Sequence, residues 1–233
     1  MKRTSSSSSS AEVSPSTTAS RILDSGERLA QTRGFNGFSY ADIAAELRIT
    51  KASLHYHFAT KADLGRALIA RYAGRFDAAL AQIDSPDPEL TLRKYVQLYE
   101  SVLVRDRMCL CGMLAAEYSA LPSAMQNELR RFFDMNEAWL VQILERGRSA
   151  GSFRFDGSAI EAARMLTAGL EGGMLLSRSY EEPARFTAVA RRLLAALTGP
   201  QPAGPRRGAE ELKAGGRRIR PQRHPRPGAG EDG

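Results

Sequence analysis

Residues 50–58 read T-K-A-S-L-H-Y-H-F and hold two of the three histidines of the chain. Imidazoles, a phenol, hydroxyls and a lysine packed this densely could bind a metal, move protons or read a nucleic acid. Metal binding is poorly supplied. Residues two apart on a helix point about 200° from each other, so His55 and His57 cannot grip one ion together. The third histidine lies far away at position 224. Nucleic-acid reading fits better, because an α-helix enters the major groove of DNA, where base edges offer donors and acceptors. Lys51, Ser53, His55 and His57 have suitable reach. Thr50 and the helix start could meet a phosphate through free N–H groups. An exposed polar helix with a purely structural role is the alternative.

Three other places could do chemistry. Cys109 and Cys111 are the two cysteines of the chain. Arg105 and Arg107 are near in sequence and could lower a thiol pKa, though buried inert thiols are common. On one helix the two thiols would point to nearly opposite faces and would not easily bond to each other; a helix start could relax that limit. Glu117 and Asn136 each interrupt an apolar stripe. A polar group there needs a partner, either an internal hydrogen bond or cap, or a ligand in a pocket.

The elements that position these residues are helical throughout. Ser39-x-x-Asp42, Thr60-x-x-Asp63 and Ser158-x-x-Glu161 are capping-box signatures, and Asp87-Pro88 is a cap followed by proline at the first helical position. Pro122-Ser123-x-x-Gln126 and Glu182-Pro183 mark two further starts. About nine helices and no convincing alternating run predict an all-α fold. Helices over about 40–47 and 50–57 form a helix-turn-helix, with Ala44, Leu47, Ile49 and Leu54 as the contact positions.

Composition is consistent with this. The 233 residues carry net +7, distributed as +1, +3, −1 and +4 over 1–17, 18–82, 83–198 and 199–233. A basic N-terminal third beside a neutral body suits an anionic partner for one part only. Two cysteines exclude a disulfide-built scaffold. The Ser-rich start lacks the apolar core of a signal peptide, and no run approaches the ~20 apolar residues needed to cross a bilayer. The cytoplasm is therefore the expected compartment, with no membrane partner. Segments 1–17 and 199–233, rich in Ser and in Pro, Gly and Arg respectively, are expected to be disordered. The expected division is a DNA-binding domain over 18–83 and a helical regulatory domain over 84–198.

The run from Ile22 to Tyr72 closely resembles the DNA-binding domain of the tetracycline-repressor (TetR) family. The matching residues are G-F-x-G-F-S-Y-A-D-I-A (34–44), T-K-A-S-L-H-Y-H-F (50–58) and T-K-A-D-L (60–64). The resemblance implies groove contacts from the recognition helix. It also implies DNA-backbone contacts from His55 or Tyr56, from His57 and from Lys61, with Ser39 and Tyr40 at further backbone-contact positions. Two residues depart from the family. His55 stands where Tyr is frequent, giving shorter reach and a pH-sensitive charge. Arg48 stands in the turn where Gly is common; a left-handed backbone there would cost about 1 kcal/mol, and Arg48 could itself touch phosphate.

The resemblance also implies a homodimer that binds a palindromic operator in double-stranded DNA and releases it to an unknown small-molecule inducer. No cofactor or metal is implied. The candidate pocket residues are Met113, Glu117, Phe133, Asn136 and Trp139, and Met108, Met135, Met165 and Met174 would suit an adaptable lining. By the same resemblance the last two long helices pair with their copies through Gly169, Gly172, Gly173, Phe186, Val189 and Leu193; the alternative is intramolecular core for both helices. The run C-L-C-G-M-L-A-A-E resembles a branch of the family that includes thiol-based electrophile sensors. A third reading, a helical enzyme using Glu117 as acid or base, lacks a nucleophile, metal or cofactor site beside it.

Overall fold

A computed structural model describes residues 17–198. Among the described residues there are nine α-helices: α1 (Thr18–Arg33), α2 (Tyr40–Leu47), α3 (Lys51–His57), α4 (Lys61–Ile83), α5 (Pro88–Leu103), α6 (Leu110–Ala116), α7 (Ser123–Ser149), α8 (Ala159–Ser179) and α9 (Ala184–Thr198). A 3₁₀ turn at Tyr118–Ala120 follows α6. The fold is all-α. The tails expected over 1–17 and 199–233 lie outside the described residues, apart from Thr17. That residue belongs to the fold, because its side chain caps α1 by accepting from the Ser20 N–H at 3.2 Å.

The local signals place the helix ends where side chains can satisfy the first free N–H groups. The Ser39 N–H donates to Asp42 at 2.7 Å, the Thr60 N–H to Asp63 at 3.1 Å and the Ser158 N–H to Glu161 at 2.8 Å. Asp87 accepts from the N–H groups of Glu89 and Leu90. Helix α7 starts at Ser123, where it was expected. Pro122 is its cap and no side chain caps it. Gln126 instead turns back and donates to the carbonyls of Tyr118 and Leu121.

In the N-terminal part, α1 packs on α2 and α4, and α2 on α3. Ile22, Leu29, Ile43, Leu54, Leu64 and Leu68 fill the space between them. Of the expected helix-turn-helix contacts, Ala44 and Leu54 are buried, whereas Leu47 and Ile49 are half-buried. The body is built from α5, α7, α8 and α9, with α7 against α8 and α8 against α9. Helix α4 belongs to both halves, since it packs on α1 at one side and on α7 at another. Residues 17–198 accordingly lie in one compact unit.

The glycine-rich part of α8 differs from expectation. A Cβ at Gly169 would meet the Leu193 side chain at 2.7 Å, and one at Gly173 would meet Val189 at 3.3 Å and Phe186 at 3.5 Å. Gly169, Gly173, Phe186, Val189 and Leu193 thus lock α8 onto α9 within one chain, because small residues let two helix backbones approach. Only Gly172 faces open space. It lies in an exposed stripe with Met165, Leu175 and Leu176.

Candidate nucleic-acid interface and regulatory cavity

The α2–α3 turn is tight. Arg48 caps α2 at φ 56° and ψ 45°, in the left-handed region, and its N–H bonds back to the end of α2. This geometry is where glycine would be free of strain, so Arg48 carries the expected backbone cost. The turn leaves Thr50 to cap α3, its side chain accepting from the Ser53 N–H at 3.1 Å. Leu54, fully buried, faces the body, while Lys51, His55 and Tyr56 are exposed and Ser53 and His57 half-exposed. Tyr56 is 85% exposed, a large aromatic that the chain's own packing leaves uncovered. Its ring meets His57 edge-on at 5.1 Å. The His55 ring lies 4.9 Å from that of Tyr40, and its Nδ1 sits 3.0 Å from the Ala59 carbonyl. A carbonyl only accepts, so Nδ1 carries the proton and Nε2 remains for a partner.

Two expected backbone-contact residues are held inside the domain. The Tyr40 hydroxyl donates between the carbonyls of Phe58 (2.8 Å) and Thr60 (2.7 Å). Burial, with the Asp63 carboxylate adding, pushes its pKa up to about 12. Lys61 Nζ donates to the carbonyls of Phe35 (2.6 Å) and Phe38 (2.5 Å) and lies over both rings. Two of its three N–H groups are thereby committed, leaving one for a phosphate. Sequence reasoning assigned both residues to DNA alone. Their first role is to clamp the 34–38 loop and the α3–α4 turn. Ser39 remains exposed, its hydroxyl donating to Asp42 at 2.7 Å.

The expected pocket residues do not come together. Glu117 is the C-cap of α6, and its carboxylate accepts from the Asn36 backbone and side chain, both at 3.0 Å. It ties the body to the reading head. The same carboxylate fills the space beside Gly34, where a Cβ would stand 2.2 Å from Oε1. Asn136 is fully buried and internally satisfied, accepting from Tyr95 at 3.0 Å and donating to Tyr99 at 3.4 Å. Trp139 stacks on Tyr95, Phe133 packs edge-on against Phe132, and Met113 packs half-buried against the core.

A cavity of about 410 Å³ lies between α1, α4, α5, the 105–109 segment and α8. Phe76, Leu98, Val102 and Met174 supply apolar walls, and Tyr72, Tyr99, Glu27, Gln31, Arg105 and Arg107 supply polar groups. Glu27 is held by Arg71 at 2.9 Å and Arg75 at 2.5 Å. Cys109 opens onto this space and accepts from the Tyr72 hydroxyl at 3.6 Å. Both cysteines are buried and free. Cys109 caps α6, whereas Cys111 lies inside the helix. Burial pushes both thiols well above their ordinary range, and Glu171 adds to the rise at Cys109. The nearby arginines of the sequence therefore do not activate them. Glu171 itself, on α8, is raised to about 7 by burial. No sequence signal led to Glu27, Gln31 or Tyr72. Glu171 was detectable, lying on the same helical stripe as buried Thr167 and Met174.

The cavity touches the parts that hold the head. Gln31, near the end of α1, donates its side chain to the Met108 carbonyl at 3.0 Å and accepts the Met108 N–H on its own carbonyl at 3.3 Å. Arg178, from the end of α8, donates to the carbonyls of Gln31, at 3.0 Å, and Thr32. Among the described residues there is no cluster of metal-ligating side chains, and no helix is long and apolar enough to cross a membrane.

Comparison with known proteins agrees with this arrangement. Residues 22–68 match the model of bacterial regulatory proteins of the tetR family, and residues 89–193 match that of a tetracyclin repressor-like C-terminal domain. A TetR-family transcriptional regulator from Agrobacterium tumefaciens superposes with a TM-score of 0.75 and 34% identity, over 78% of this chain and 97% of that one. The transcriptional repressor NemR of Escherichia coli is 25% identical over 175 residues, 70% of this chain and 87% of its own. Its structure, solved in a reduced form, superposes with a TM-score of 0.68, over 79% of this chain and all of that one. The transcriptional regulator AcuR of Cereibacter sphaeroides is 27% identical over 65% of this chain and 72% of its own. With an exposed reading helix at one end and a matching body at the other, the chain belongs to the TetR family of bacterial regulatory proteins and is a helix-turn-helix DNA-binding regulator of transcription.

Proposed function

We propose that the protein is a homodimeric repressor released from its operator by a small molecule that enters the cavity between α1, α4, α5 and α8. The observation that carries this reading is that one residue, Gln31, both lines the cavity and holds the end of α1 through Met108. A ligand that displaces Gln31 or Met108 changes the bonds that fix α1, and with it the seat of α2 and α3. Ligand binding and operator binding are then linked through one pair of contacts, and each weakens the other by the same factor.

In this reading α3 supplies the groove contacts through Lys51, Ser53, His55, Tyr56 and His57, while Ser39, Thr50, Arg48 and the remaining N–H of Lys61 face the DNA backbone. The exposed α8 stripe of Met165, Gly172, Leu175 and Leu176 meets its copy in the dimer. A two-fold axis there would place two reading helices about 34–36 Å apart on a palindrome. A mobility-shift titration against DNA selected from a random pool tests the reading. Binding as a dimer with a steep salt dependence supports it, and loss of the shift on adding a cavity ligand completes it. A monomer, or a protein indifferent to duplex DNA at low ionic strength, overturns it.

A second reading has one specific observation in its favour: Cys109 is the thiol that opens onto the cavity. Here covalent modification of Cys109 replaces reversible ligand binding. The superposed NemR structure is of a reduced form, and Cys109 likewise stands here as a free thiol. If C109S protein releases DNA normally when treated with an electrophile, this reading fails while the first one stands.

A further inference from the structure

Among the described residues, Glu171 is the buried carboxylate that neither fold nor DNA reading uses. Its stem is half-exposed on α8, yet both carboxylate oxygens are buried without a hydrogen bond of ordinary geometry, and the group that approaches them is the Cys109 thiol. Among the described residues no cation is paired with it. Buried polar atoms without partners are rare, and each requires an explanation. The carboxylate lies against Gly112, where a Cβ would stand 2.1 Å from Oε2. Glycine at 112 thus makes room for the acid at the start of α6, three residues from the cap, Cys109. Met174, one turn further along α8, lines the cavity together with Cys109.

We propose that Glu171 is the proton acceptor that lets Cys109 add to a small α,β-unsaturated carbonyl compound held in the cavity. The inference rests on the thiol reading above and deepens it. In the step, Sγ of Cys109 forms a bond to the β-carbon. The electron pair of the carbon–carbon double bond moves toward the carbonyl oxygen, and the thiol proton passes to the Glu171 carboxylate. The carboxyl then returns a proton to the α-carbon. The net change is addition of S–H across C=C, so no oxidant or reductant takes part. Arg105 and Arg107 line the same cavity, and neither guanidinium has a hydrogen bond or ion pair among the described residues. They are available as donors to the carbonyl oxygen as charge collects there.

The surroundings favour proton transfer during attack over a standing thiolate. The groups that face Glu171 are Tyr72 from α4, Tyr95 and Tyr99 from α5, and Cys109 and Cys111 at α6. Glu27 of α1 faces Cys111 and is already paired with Arg71 and Arg75. No charge on α7 or α9 moves the titration of Glu171. Of these neighbours only the Tyr72 hydroxyl, which donates to Sγ at 3.6 Å, favours a thiolate; burial outweighs it, and a negative Glu171 opposes one. A base that titrates near neutral pH is well matched to removing the proton as the bond forms.

The test is alkylation of the full-length protein by 2-cyclohexenone, followed by intact mass and peptide mapping between about pH 5.5 and 8.5. Wild-type protein should gain one adduct at Cys109, with a rate that rises through an inflection near 7. E171Q should react roughly 100-fold more slowly at pH 7.5, without that inflection. E171D, which keeps the carboxyl but withdraws it, should retain the inflection at a reduced rate. If Cys109 of the wild-type protein is not alkylated, the thiol reading falls and this inference with it. If E171Q reacts at the wild-type rate and with the wild-type profile, the thiol reading stands and the role of Glu171 is overturned. Should E171Q fail to fold, E171D decides: a slowed rate with the inflection kept supports the role, and an unchanged rate overturns it.

Discussion

The reading head and the cavity region treat buried polar groups in opposite ways. In the head, the Tyr40 hydroxyl and the Lys61 ammonium each reach two carbonyls, and the Ser39 and Thr60 ends are closed by capping boxes. Around the cavity, Gln31 Oε1, Arg71 Nε and both oxygens of Glu171 are buried without a partner. A surface that must present the same contacts to every operator copy benefits from a fixed frame. A region that must change when something enters it benefits from groups whose bonding is incomplete, because a new partner then shifts the balance. The contrast assigns rigidity to one end of the molecule and responsiveness to the other.

The strongest way to break this contrast is at Lys61. K61A leaves the Phe35 and Phe38 carbonyls without their donor and should cost about 3–4 kcal/mol of stability by urea unfolding, since bonds to a charged group are worth roughly 1.5–3 kcal/mol each. A uniform loss of DNA affinity with unchanged stability would instead make Lys61 a phosphate contact only. Glu171 tests the opposite end. Its folded pKa is raised to about 7 from an ordinary 4.5, so the native state holds the proton more tightly than the unfolded chain. The associated stability is fully present below about pH 4.5, declines as pH rises, and is lost above about 7. The difference between wild type and E171Q should therefore change by on the order of 2–3 kcal/mol across that window, with E171Q gaining at the alkaline side. A pH-independent difference would remove the idea of an uncompensated acid.

Arg178 joins the two regions. R178A should lose about 1–2 kcal/mol of stability. Operator affinity without ligand should fall little, while the ratio of affinities with and without a releasing agent shrinks. An unchanged ratio would place the coupling elsewhere. The smallest effect on stability belongs to the reading face itself. K51A should stay within about 0.5 kcal/mol of wild type in unfolding, yet change which sequences are recovered from a random pool. A K51A protein with unaltered sequence preference would shift base reading onto Ser53, His55 and Tyr56.

Much of the fold was legible because its signals are local. Ser39 and Asp42, Thr60 and Asp63, and Ser158 and Glu161 sit three residues apart, and that spacing is enough to set a helix start. The start of α7 at Ser123 was legible too, though not the role of Gln126, which returns to the carbonyls of the preceding turn. The reading helix was legible for the same reason, being a nine-residue run with one buried position. The cavity was not. Its walls come from residues 27–31, 72–79, 98–109 and 174, and no periodicity joins them. Glu117 and Asn136 show the limit clearly. Their place on apolar stripes announced that each had a partner. Sequence could not say that one partner was Asn36, 81 residues away, and the other a pair of tyrosines on a different helix.

The contact between Gly34 and Glu117 has a bearing on how such a chain can change over generations. The glycine adopts φ 82° and the glutamate oxygen occupies the place of any side chain there. A larger residue at 34 is tolerable only after position 117 has shortened or turned away, so the two sites should drift in a set order, the acid first. Related genes that carry a bulkier residue after the first helix are expected to have already given up the carboxylate, and with it one of the ties between the DNA-reading end and the rest of the molecule.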